Sequence, residues 1–106
     1  MGVSFPSPAE AAARTQIGLD RFMWGGDYPH DESTYPNTTE GLRRAFAGTD
    51  PVELQQLLAG NAARLYGFDL GVLRTYADRC GPTVDELNVP YQGVPEGNRS
   101  PAFVRP

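Results

Sequence analysis

Asp27, Tyr28 and His30 fall within one short stretch of this chain and are its residues best suited to chemistry. A carboxylate can accept a proton, and Asp27 with His30 supplies two metal ligands at best. Phe22-Met23-Trp24 precedes them as a short apolar run that ends in Gly25-Gly26. That run reads as a buried strand, and the glycines let the backbone turn where it ends. Asp27 then stands at the C-terminal tip of a strand, where α/β barrels keep their chemistry. One carboxylate does not make an active site, so the chain reads as holding only the last piece of one. Plainer readings stand beside this: Asp27 as a loop acid held by backbone N–H groups, His30 as a surface imidazole, and Trp24 as packing. Asp31 and Glu32 read as solvated rim.

The 106 residues suffice for one small domain and not for two. Mean hydropathy is -0.43, and 12 glycines with 10 prolines argue for a modest core and a loose tail. A net charge of -4 and scattered arginines, with no lysine, argue against nucleic acid as a partner. Arg43-Arg44 is read as part of a solvated helix face. Cys80 is the single cysteine. It excludes an intrachain disulfide and a cysteine-based zinc cluster, and reads as a part-buried, inert thiol. No apolar run approaches a membrane span, and the N-terminus has no basic-then-apolar signal, so the expected location is the cytoplasm.

Several elements must position the Asp27 stretch. Met1 to Pro8 reads as a lead-in loop in which Ser7 caps a helix from Pro8 to Ile17, with Glu10 in its first turn. Gly18 ends that helix, and the strand spans Arg21 to Gly25. Thr38 or Thr39 starts a second helix that runs to Phe46. Asp50 caps a third, with Pro51 at its first position and Glu53 reaching back, and with Leu54, Leu57 and Leu58 as its buried stripe. After Gly60, a further segment from Asn61 to Tyr66 supplies Ala62, Leu65 and Tyr66. Asp69 caps Leu70 to Arg79, with Leu73 and Tyr76 inward, and Pro82 starts a last turn through Leu87. From Asn88 onward proline and glycine prevent any regular element. A lone strand leaves its backbone groups unpaired, so it needs a partner from elsewhere.

Two blocks carry a family resemblance. Ile17-Gly18-Leu19-Asp20-Arg21-Phe22-Met23-Trp24-Gly25-Gly26-Asp27-Tyr28-Pro29-His30 resembles the last strand of metal-dependent amidohydrolases, in the branch that includes aminocarboxymuconate-semialdehyde-type decarboxylases. Asn61-Ala62-Ala63-Arg64-Leu65-Tyr66-Gly67-Phe68 is similar to that family's closing helix. Gly81-Pro82-Thr83 and Ser100-Pro101-Ala102-Phe103 resemble, more weakly, the ending of some long members. The resemblance implies the α/β class and a (β/α)8 TIM barrel, of which this chain is the C-terminal fragment. That fragment is mostly helical, with one short strand and an irregular tail. Residues 1–87 form the barrel segment and 88–106 the Pro/Gly-rich tail.

The resemblance further implies that Asp27 is a ligand of a catalytic divalent metal, commonly zinc, and helps activate the metal-bound water. Tyr28 and His30 would lie near the substrate entrance, while Asn61 and Arg64 fix the closing helix by side-chain hydrogen bonds. Gly26 departs from a serine common before this acid in the family. The His-x-His pair and further histidines of such a site are lacking, so no cofactor is expected for this chain alone. The expectation is therefore the C-terminal portion of a hydrolase or decarboxylase acting on a small molecule. It would be inactive by itself, and would meet the missing barrel part or another copy. A non-catalytic truncated remnant and a small helical interaction module are the alternatives.

Overall fold

A computed structural model of the chain describes residues 1–104 and 106. In it, β1 (Gly2–Ser4) and β2 (Met23–Gly25) pair in parallel, with Val3 opposite Trp24. The strand expected to stand alone thus has a partner, drawn from residues read as a lead-in loop. Three residues next to Pro6 and Pro8 are too few to show the alternation that marks a strand. Gly2–Ser4 is extended because the backbone of β2 needs a partner, which is a non-local cause. The pair is lengthened at both ends, by Met23 N–H donating to the Met1 carbonyl (2.9 Å) and Phe5 N–H to that of Gly25 (2.8 Å).

Local capping sets most helix starts. Ser7 accepts from the Glu10 amide, and the Glu10 carboxylate accepts from the Ser7 amide, which opens α1 (Pro8–Ala12). The expected single helix is interrupted at Ala13 and resumes as α2 (Arg14–Ile17). Gly18, at φ 107°, ends it. A 3-10 turn over Leu19–Arg21 then takes the place of the strand's expected start. Helix α3 (Thr38–Phe46) buries Leu42 and Phe46, and Asn37 occupies its N-cap position instead of a threonine.

Asp50 caps α4 (Pro51–Gln55) through the amides of Val52 and Glu53. Glu53 does not reach back as expected; its carboxylate pairs with Arg14 at 3.2 Å, because the α1–α2 junction brings a guanidinium within reach. Nor does Gly60 break the chain. A wider π-helical stretch, Gln56–Gly60, leads directly into α5 (Asn61–Tyr66), which ends at left-handed Gly67. Asp69 caps α6 (Leu70–Cys80). The short α7 (Val84–Leu87) opens on a Thr83–Glu86 capping box, so Thr83 and not Pro82 supplies its start signal.

The core gathers Ala11, Phe22, Leu42, Phe46, Leu54, Leu57 and Leu87, with the Phe22 and Phe46 rings edge to face. Asn61 is the polar member at its border, 1% exposed, and its amide donates to the carbonyls of Leu19 (2.5 Å) and Phe22 (2.8 Å). Arg64 donates to the Asp20 carbonyl at 2.7 Å. Both residues hold the closing helix against the approach to β2, as their side chains led us to expect.

The apolar residues expected inward on the last helices are not buried. Leu65, Tyr66, Leu73 and Tyr76 are exposed, and α6 buries no residue. Leu70, Leu73 and Ala77 face a cavity of about 470 Å³ opposite Leu54, Leu58 and Leu87, where close packing would otherwise be found. Cys80, at the outer end of α6, is exposed and not part-buried. Arg43 is no solvated charge either: it bonds Glu40 and donates to the Glu86 carbonyl, tying α3 to α7. The tail is irregular up to Ser100, but a 3-10 turn at Pro101–Phe103 returns and buries Ala102 and Phe103. Among the described residues, no helix is long and apolar enough to cross a membrane.

Asn61→Ala strips partners from two carbonyls at once, and should lower unfolding free energy by about 2–4 kcal/mol in urea denaturation. Arg64→Ala, whose hydrogen bond is exposed, should cost less than about 1 kcal/mol.

Candidate metal centre

Beyond β2 the backbone winds through two successive turns. Asp27 adopts a left-handed conformation at φ 61°, which a short polar side chain tolerates better than most. The His30 amide donates to the Asp27 carbonyl (2.9 Å), and the Ser33 amide donates to the His30 carbonyl (3.0 Å). The loop then closes on itself, as the Thr34 amide donates to the carbonyl of Gly26 at 3.2 Å. Thr34 is buried, and its hydroxyl lies 3.1 Å from that of Thr38 at the start of α3. The site loop is thus pinned to the end of one strand and to the first turn of one helix.

This winding brings three side chains together. One ligand-capable atom from each of Asp27, His30 and Glu32 lies within 4.8 Å of the other two. His30 Nδ1 is 3.8 Å from Asp27 Oδ2. Asp27 is the most sheltered of the three, and His30 and Glu32 are exposed. Glu32 thus adds a third ligand-capable side chain to the two counted from the sequence. Glu32, read as solvated rim, turns back because the 30–33 turn reverses the chain. The only signal that could have found it is the Asp-x-x-His-x-Glu spacing, which belongs to no regular period.

Two carboxylates and an imidazole suit a divalent cation of the zinc type, which binds carboxylate oxygen and histidine nitrogen and at catalytic sites keeps three protein ligands. The same carboxylates can accept a proton from a water or substrate held beside them. Tyr28 does not join the cluster. It is 70% exposed and packs edge-on against Tyr35, with ring centroids 5.1 Å apart.

Gly26 has a physical reason to lack a side chain. A Cβ there would sit 3.1 Å from the Trp24 ring and 3.3 Å from Thr34 Oγ1. Glycine lets both neighbours close on the backbone just before Asp27, at the loss of any hydroxyl that could orient the carboxylate.

The family model described as amidohydrolase matches residues 2–68, a stretch that includes both strands, the whole loop and helix α5. Neither the curated proteins nor the solved structures yield a match.

In a calorimetric Zn²⁺ titration of the chain, His30→Ala and Glu32→Gln should each weaken binding roughly tenfold or more, which is about 1.4 kcal/mol. Asp31→Asn, an equally exposed neighbour outside the cluster, should leave the affinity unchanged.

Proposed function

The chain belongs to the amidohydrolase family, and on that premise we propose that it is the C-terminal portion of a metal-dependent, cytoplasmic hydrolase of amidohydrolase type. The observation that carries this reading is the place of Asp27. It follows a parallel strand at that strand's C-terminal end, inside the matched residues, with His30 and Glu32 beside it. In (β/α)8 barrels this is the end where the chemistry sits.

Asp27 would hold the divalent metal, and zinc suits its carboxylate together with imidazole ligands. When bound, such a metal lowers the pKa of a coordinated water towards about 7 and polarises the scissile carbonyl. Asp27 takes up a proton during attack and returns it to the leaving group. Tyr28, exposed at the rim, contacts the small-molecule substrate, whereas His30, read from the sequence as a further pocket residue, stands 3.8 Å from Asp27 and serves the metal. A decarboxylase would use the same carboxylate to hold its metal; hydrolysis is preferred because the matching family model is that of the amidohydrolases.

The chain is not active by itself on this reading. It contains a single histidine, and His30 is already in the cluster. Further imidazoles come from strands that continue the sheet, since among the described residues β1 and β2 pair only with each other. The outer edges of such a pair leave N–H and C=O groups for further strands. A second reading, a non-catalytic module that self-associates, draws on the exposed Leu65, Tyr66, Phe68, Val72 and Tyr76. Exposed apolar side chains, where they gather into one patch, mark an association face, and the Tyr66 and Phe68 rings do touch.

Joined to the histidine-bearing strands, the chain should hydrolyse members of a panel of N-acyl amides when zinc is present. Asp27→Asn should lower kcat by about 10²–10⁴-fold with circular dichroism unchanged. The 106-residue chain alone should show no turnover. Full activity in the Asn variant would remove Asp27 from the mechanism. An inactive joined protein, together with an isolated chain that forms discrete oligomers, would favour the association module.

A further inference from the structure

We propose that Phe103 is a positioning residue for the Asp27–Glu32 loop, inserted from the far end of the chain to hold that loop's closing residue in place. Residues 88–99 are irregular and mostly exposed, yet Ser100, Ala102 and Phe103 are 6%, 5% and 3% exposed. These residues do not join the main core. They dock near the C-terminal ends of the strands, where Phe103 shares the lining of a small void of about 10 Å³ with Phe5, Thr34 and Gly41.

Gly41 explains the fit. A Cβ on this α3 residue would lie 3.6 Å from Phe103 Cζ and 2.9 Å from Thr34 Cγ2. The ring and the threonine methyl therefore rest on the same bare stretch of helix. Thr34 is also the residue whose amide closes the loop on Gly26, immediately before Asp27. Filling the space next to Thr34 keeps that closure from opening. On the other side, Phe5 is tied to the end of β2 by its amide N–H, which donates to the Gly25 carbonyl. The two phenylalanines thus brace the base of the loop from both flanks.

The tail is secured for this task by its own hydrogen bonds. Ser100 Oγ accepts from the Ala102 amide, and Asn98 Nδ2 donates to the Ser100 carbonyl at 2.9 Å. Arg44 Nη1 donates to the Ala102 carbonyl at 3.5 Å. Asn98 and Ser100 also share a cavity of about 240 Å³ with Asp31 and Tyr35, so the tail flanks the outer side of the loop as well. This role rests on the reading of the loop as a metal centre, but its first readout needs no metal.

The test is residue-resolved amide hydrogen exchange on the metal-free 106-residue chain, followed by Zn²⁺ titration of the same samples. Phe103→Ala should speed exchange at Ser33 and Thr34 by about tenfold or more while Leu54 and Leu57 keep their wild-type rates. It should also weaken Zn²⁺ binding by about tenfold. Phe103→Leu, which refills most of the space, should restore both. Unchanged exchange at Thr34, or equal acceleration throughout α4 and α5, would overturn the proposal. So would loosened loop amides with unaltered Zn²⁺ affinity, since the ring would then hold the loop without serving its ligands. A wild-type chain that binds no Zn²⁺ would instead show that Asp27, His30 and Glu32 do not hold the metal without further ligands, and the exchange contrast alone would then decide whether Phe103 holds the loop.

Discussion

The two hydrogen bonds from the Asn61 amide to the carbonyls of Leu19 and Phe22 hold α5 against the point where the chain enters β2. A strand of three residues in a two-stranded sheet has little stability of its own. Its position comes from what grips its ends. Asn61 grips the start, and the Thr34 amide, bonded to the Gly26 carbonyl, grips the turn beyond its end. Asn61 makes these bonds while its own Oδ1 stays buried without a partner among the described residues. Leaving such an acceptor unpaired costs about 1–3 kcal/mol. The clamp persists because losing it would orphan two carbonyls in place of one oxygen.

Between those two grips the chain can present Asp27. The turn through left-handed Asp27 and the next turn at His30–Ser33 are short and local, and together they bring donors from positions 27, 30 and 32 to one place. Close approach of Trp24 and Thr34 to bare Gly26 keeps the base of this loop narrow. The core beneath, centred on Phe22 and Phe46, supplies the rigidity that an exposed cluster lacks. Membership in the amidohydrolase family gives this geometry its chemical meaning. The chain places a carboxylate just beyond the end of a strand, and on the proposed reading the strands carrying its co-ligands would join at the sheet's edges.

What was legible in the sequence was local. Ser7-x-x-Glu10, Asp50-Pro51 and Asp69 each announce a helix start by a side chain that accepts from amides two or three residues on, and all three do so. The hydrogen-bonding roles of Asn61 and Arg64 were legible through the family motif, as was the family itself. What was not legible depends on contacts across the chain. Gly2–Ser4 is a strand only because Met23–Gly25 lies beside it. Glu53 leaves its cap because Arg14 offers a charged partner. Phe103 is buried because Gly41 leaves room, and a proline-rich tail gave no sign of that. Leu73 and Tyr76 follow an inward-looking pattern on a helix that buries no residue, because a cavity lies between it and Leu54, Leu58 and Leu87.

The most direct measurement is anomalous diffraction at the zinc absorption edge from crystals of the chain grown with Zn²⁺. The expected result is a peak coordinated by Asp27, His30 and Glu32, and its disappearance in crystals of Asp27→Asn. Zinc bound elsewhere on the surface with none at Asp27, or a peak undisturbed by the Asn variant, would contradict it.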